Sequence, residues 1–209
     1  MTLKELGWIY FISLILQILA VALLSYNLII FLLIVWFFAF LMNYEFFCSR
    51  YLKKRPLAYL FSHMCIIPLI DLFATACQWS ISESFPSVHL AWFLIAGFFN
   101  GCVFEVGRKI REPKAEQEGV DTYSKLYGVK KALFMWWGFM LLAFISAILA
   151  AINIGTSFFV FVVCGLCLLI SILVVWNPVV SNQPNLAKVE LFSGLWVLIL
   201  YISLSLIHI

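Results

Sequence analysis

The sequence predicts an all-α membrane protein on three observations. Hydrophobic residues make up 65% of the 209, only 11% are charged, and the apolar residues run in unbroken stretches of bilayer-spanning length. Mean hydropathy is +1.09, whereas a soluble domain carries charge on about a quarter of its residues. A helical span needs about 20 mostly apolar residues. Seven segments approach that length, near 5–24, 27–43, 57–79, 87–107, 130–151, 156–176 and 189–208. Lipid offers no hydrogen-bond partners to the backbone, so segments of this kind must be helices. The first lacks a small-residue cleavage site leading into a polar mature chain, and is expected to be a span, not a signal peptide.

The cations order these spans. Lys4 precedes the first; Arg50, Lys53, Lys54 and Arg55 follow the second; Arg108 to Lys131 follow the fourth; Lys188 precedes the seventh. The alternate gaps hold no Lys or Arg, so all thirteen positive charges are expected on one side. By the positive-inside rule that side is cytoplasmic, with the N-terminus inside and the C-terminus opposite. The expected organisation is one transmembrane domain, 1–209, with cytoplasmic loops at 44–56 and 108–129. The net charge of +3 resides in these loops; it speaks for topology and anionic ligands, and no nucleic-acid partner is expected. The six cysteines show no paired zinc spacing, and Cys164-x2-Cys167 lies mid-helix, where a small packing residue is the expected role. No disulfide is expected.

The longest polar run is Glu105 to Lys125, EVGRKIREPKAEQEGVDTYSK, with five of the ten acidic and five of the thirteen basic residues. A loop that only sets orientation needs cations. Interspersed carboxylates and cations can instead hold a divalent metal and a phosphate together. The plainer reading is a solvated loop whose charges have no specific task.

Ionisable groups inside the spans are few, so each asks for an explanation. His63 and Asp71 lie eight residues apart on the predicted third helix, about two turns and roughly on one face. They are candidates to line a substrate cavity. The plainer reading has Asp71 bonded to a neighbouring helix or protonated, and His63 satisfied by backbone. On the fourth helix, Gly97-x3-Gly101 permits close helix approach, with the amide of Asn100 between the glycines. The tryptophans are read mainly as interfacial belt residues.

Three passages carry a resemblance: FEVGRKIREPKAEQEGVDTYSKLYG (104–128), EFFCSRYLKKRPLAYLFSHM (45–64) and CIIPLIDLF (65–73). With the helix rhythm, the chain resembles the UbiA superfamily of intramembrane prenyltransferases, and within it a subgroup in which Gly-Val-Asp-Thr-Tyr-Ser follows the sixth helix. The family fold has nine transmembrane helices around a central cavity. The seven spans here resemble its third to ninth, so a bundle of seven transmembrane helices is expected. The family's first two helices and first acidic motif have no counterpart, and a truncated or degenerate relative is expected.

The resemblance implies transfer of a prenyl group from a prenyl diphosphate to an acceptor that nothing here selects, with Mg2+ as cofactor. It implies Glu105, Glu112 and Asp121 as metal ligands, and Tyr51, Lys54, Arg55, Arg108, Lys109 and Lys125 as the diphosphate grip. His63 and Asp71 are then the candidate catalytic residues, as base or as orienters of the acceptor. Thr122, six residues before Gly128, matches the family's Gly-x2-Thr turn into the next helix. Two other classes compete: a non-catalytic membrane subunit or remnant, and a transporter suggested by His63 and Asp71. No internal inverted repeat supports the transporter.

Overall fold

The computed structural model describes residues 2–80, 86–116, 119, 121–152, 157–180 and 186–205. Among them there is no strand. The first helices are α1 (Leu3–Leu24), α2 (Leu28–Asn43), α3 (Ser49–Lys53), α4 (Pro56–Met64) and α5 (Ile66–Trp79). They are followed by α6 (Leu90–Arg108), α7 (Tyr123–Tyr127), α8 (Val129–Ile152), α9 (Ser157–Val180) and α10 (Ala187–Ser205). Five stretches are long and apolar enough to cross a membrane: Lys4–Leu24, Pro56–Trp79, Leu90–Arg108, Val129–Ile152 and Ala187–Leu204. Several apolar helices of this kind make the chain a multi-pass membrane protein. Shorter apolar helices, Leu28–Asn43 and Phe161–Leu173, fall where the sequence predicts the other two spans. The 16 residues of α2 extend about 24 Å at 1.5 Å per residue, short of the roughly 30 Å hydrocarbon core.

The chain forms two compact units, Met1–Ser87 and Val88–Ile209. In the first, Thr2 and Glu5 make a reciprocal capping box that starts α1. Helix α2 packs against α1 and α5. Val21, Leu28, Leu32 and Ala76 are buried at that junction, with Phe31, Trp36, Phe73 and Trp79 around them. Trp36 donates its indole N–H to Gln17 Oε1 at 3.0 Å, tying α2 to α1.

The predicted helix over 57–79 is divided at Cys65 into α4 and α5. Pro68 explains the break: it has no N–H for the carbonyl of Met64, and its ring crowds that carbonyl. His63 and Asp71 consequently belong to different helices.

The second unit is built on α6. Its buried face carries Gly97, Asn100, Val103 and Gly107, spaced by three or four residues as one helix face requires. Helix α8 is its main neighbour, α10 packs on both α6 and α9, and α9 also packs on α8. Leu133, Trp136, Met140, Ala143 and Ala147 of α8, and Val189, Ser193, Trp196 and Leu200 of α10, complete the core.

Candidate functional site

The predicted polar run begins in the last turn of α6. Glu105 is bound there by two cations of its own helix: Arg108 Nη2 lies 2.6 Å from Oε2 and Lys109 Nζ 2.9 Å from Oε1. The spacings of three and four residues put all three side chains on one helix surface. Cations at a helix C-terminus also face the negative end of its dipole. The Glu105 side chain is only 15% exposed, against 48% for Arg108 and 28% for Lys109, so the group turns positive charge outward.

Beyond α6 the chain leaves and returns. The N–H of Tyr123 donates to the carbonyl of Lys109 at 2.9 Å, bringing the start of α7 back to the end of α6. The side-chain hydrogen bonds there centre on Glu116. Oε1 of Glu116 accepts from Thr122 Oγ1 at 2.9 Å and lies 3.2 Å from Ser124 Oγ. Thr122 Oγ1 accepts from the N–H of Lys125 and so caps α7, while Ser124 Oγ accepts from the N–H of Arg111 at 3.1 Å. Thr122 and Ser124 are buried, where hydroxyls and amides need partners. Glu112 anchors this segment a second time, its Oε1 accepting from the N–H of Leu186 just before α10. Gly128 then separates α7 from α8 at φ 81° and ψ 151°, a conformation that side chains with a Cβ avoid.

The end of α6 is fixed from below. A Cβ on Gly107 would lie 1.9 Å from Ser193 Oγ and 3.0 Å from Trp136 Nε1, so only glycine admits these two side chains. Trp136 donates to Ser193 Oγ at 2.8 Å, and Ser193 donates to the carbonyl of Val189 at 2.7 Å. Helices α6, α8 and α10 are thereby pinned one residue before Arg108.

In the first unit, the polar segment after α2 begins with a left-handed turn. Glu45, Phe46 and Phe47 have φ of 48°, 53° and 56°, a run without glycine, and each such residue costs about 1–2 kcal/mol. Glu45 Oε1 lies 3.4 Å from Lys53 Nζ. Arg55 donates to the hydroxyl of Tyr51 and its guanidinium stands 4.3 Å over the tyrosine ring.

His63 stacks on Tyr59 with ring centroids 4.0 Å apart and meets Phe46 edge-on. Its Nδ1 donates to the carbonyl of Tyr59 at 2.9 Å, which is the backbone satisfaction of the plainer reading. Asp71 is buried on α5.

The predicted site residues therefore divide. Glu105, Arg108 and Lys109 come together, and so do Tyr51 and Arg55. Lys54, Lys125 and Asp121 are exposed, with Lys125 contributing its backbone to the α7 cap. For the metal, Glu105 is engaged by cations and Glu112 by a backbone N–H. No group of three His, Cys, Asp or Glu side chains among the described residues is placed to hold a metal ion. These residues fit an anion met by cations better than a magnesium cage of three carboxylates.

Sequence reasoning missed Gly107, Trp136 and Ser193, and missed Glu116 as the acceptor for Thr122 and Ser124. The signal for the last was present: Thr-x-Ser with a carboxylate six residues upstream can cap a helix and anchor a loop. Compared with family models, curated proteins and solved structures, the chain matches none.

Proposed function

We propose that the chain is an intramembrane protein of the UbiA prenyltransferase type, in which the end of α6 at Glu105, Arg108 and Lys109 receives the diphosphate of a prenyl donor. The observation that carries this reading is the pair Arg108 and Lys109, held side by side on Glu105 with their charge turned outward. Charge-assisted hydrogen bonds to phosphate are roughly twice as strong as neutral ones. Arg108 supplies a planar fork and Lys109 a compact point charge, a pairing suited to bridging and terminal phosphate oxygens. Both would also stabilise charge that grows on a departing diphosphate. Glu105 is the residue that keeps the two cations in register.

By the resemblance, Lys125 adds to this grip. The N-terminus is on the cytoplasmic side in this reading. A second reading, a non-catalytic membrane subunit, draws on the carboxylates of Glu105, Glu112 and Glu116, all of which have partners inside the protein.

Membranes carrying the chain, incubated with radiolabelled prenyl diphosphate and Mg2+, test the transferase. Label should move into an acceptor, and Glu105→Ala should reduce that turnover at least tenfold. Unchanged turnover in Glu105→Ala would contradict the role given to Glu105. Absence of transfer alongside saturable donor binding favours the non-catalytic subunit.

A further inference from the structure

Three side chains of the second unit, Asn100, Trp137 and Trp196, have buried polar atoms with no hydrogen-bond partner among the described residues, and two of them lie in its core. Asn100 of α6 is 0% exposed and Trp196 of α10 is 1% exposed. Neither amide atom of Asn100 is bonded, and the indole N–H of Trp196 is likewise unpaired. A buried amide or indole left in this condition costs about 1–3 kcal/mol, and such groups in folded proteins usually mark a bound water or ion.

Both lie between the same two contacts of α6 with α10, at different distances from them. Asn100 precedes Gly107 by seven residues, which is two turns up the same face of α6 and about 10 Å along its axis. Gly107 touches Ser193 of α10, and Trp196 lies one turn beyond Ser193 on that helix. Further on, Phe93 of α6 meets Tyr201 of α10 at a centroid distance of 6.5 Å. The contacts at Gly107–Ser193 and Phe93–Tyr201 bracket Asn100 on one helix and Trp196 on the other. The layer is otherwise closed by α8, where Met140 and Ala143 are buried and Phe139 stacks on Phe99.

We infer that Asn100 and Trp196 enclose a buried water site in the apolar bundle. An internal water needs two to four polar partners. Trp196 Nε1–H and Asn100 Nδ2–H supply donors to its oxygen, and Asn100 Oδ1 accepts one of its protons. An anion is disfavoured because, among the described residues, no cation is buried on α6, α8 or α10. Water satisfies all three groups without adding charge to a low-dielectric layer.

The test is water-to-indole magnetisation transfer by NMR on the full chain in detergent micelles, with 15N-labelled tryptophan and the Trp196 resonance assigned through Trp196→Phe. The expected result is a cross-peak between Trp196 Hε1 and a long-lived water, lost in Asn100→Leu, with Tm lowered by several degrees in that variant. A wild-type spectrum without the cross-peak overturns the inference, including the case in which Trp196 bonds Asn100 directly. A cross-peak that persists in Asn100→Leu also overturns it, as does a Tm equal to or above wild type. Should Asn100→Leu fail to fold, the wild-type spectrum still decides.

Discussion

Trp136 and Ser193 meet through a 2.8 Å hydrogen bond directly over the Cα of Gly107. This contact joins three helices at the level where α6 delivers Arg108 and Lys109. A methyl at position 107 would collide with Ser193 Oγ and Cβ, at 1.9 and 2.8 Å. Gly107→Ala should therefore destabilise the chain by about 1–3 kcal/mol, the usual cost of overpacking. Thermal unfolding in detergent checks this, and a Tm unchanged from wild type would show that the helices do not pack this closely.

Glu116 organises the side-chain hydrogen bonds at the start of α7. Its removal in Glu116→Ala leaves the buried hydroxyl of Thr122 short of an acceptor, while Ser124 can still donate to Thr122 Oγ1 at 3.1 Å; the loss is about 1–3 kcal/mol in local stability. Amide hydrogen exchange across 109–123 should accelerate about tenfold or more. Glu116→Gln keeps Oε1 and should show a smaller acceleration. Equal exchange in wild type and Glu116→Ala would mean this segment is held by something else.

Gly128 is the junction between α7 and α8, at φ 81°. Gly128→Ala puts a Cβ into a conformation that costs about 1–3 kcal/mol, although no atom lies within 4 Å of it. The penalty is therefore one of backbone strain and not of crowding. A lowered Tm for Gly128→Ala, with no further loss for the bulkier Gly128→Ser, is the expected signature.

Cys48 is an exposed thiol beside Arg50, Lys53, Lys54 and Arg55. If the cation-rich segments face the cytoplasm, a membrane-impermeant maleimide should label Cys48 in inside-out vesicles and leave it unlabelled in sealed right-side-out ones. The reverse pattern would invert the orientation read from the charges.

Much of the fold was legible because a bilayer-length apolar run has one structural solution. The division at Cys65 was missed, although its signal was present: Pro68, four residues after Met64, removes a helix hydrogen bond. The left-handed turn at Glu45–Phe47 was not legible: three residues with side chains give no local sign of positive φ. The small-residue pattern drew attention to Gly97 and Gly101 and passed over Gly107, which Ser193 approaches closely. Which glycine is approached depends on the residue facing it, and Ser193 lies far away in sequence. The charged run showed the same limit, because composition displays its carboxylates without their partners. Glu105 pairs with neighbours at helical spacing, which the sequence announces. Glu112 reaches the N–H of Leu186, a partner set only by the packing of the helices between them.

Saturation binding of a radiolabelled prenyl diphosphate to the purified chain in lipid nanodiscs is the most direct test of the proposed diphosphate site. Binding should saturate, be displaced by inorganic diphosphate, and weaken at least tenfold in the Arg108→Ala/Lys109→Ala double variant, since each hydrogen bond to a charged group is worth about 1.5–3 kcal/mol. Wild-type protein that does not bind, or a double variant that binds as tightly as wild type, would contradict it.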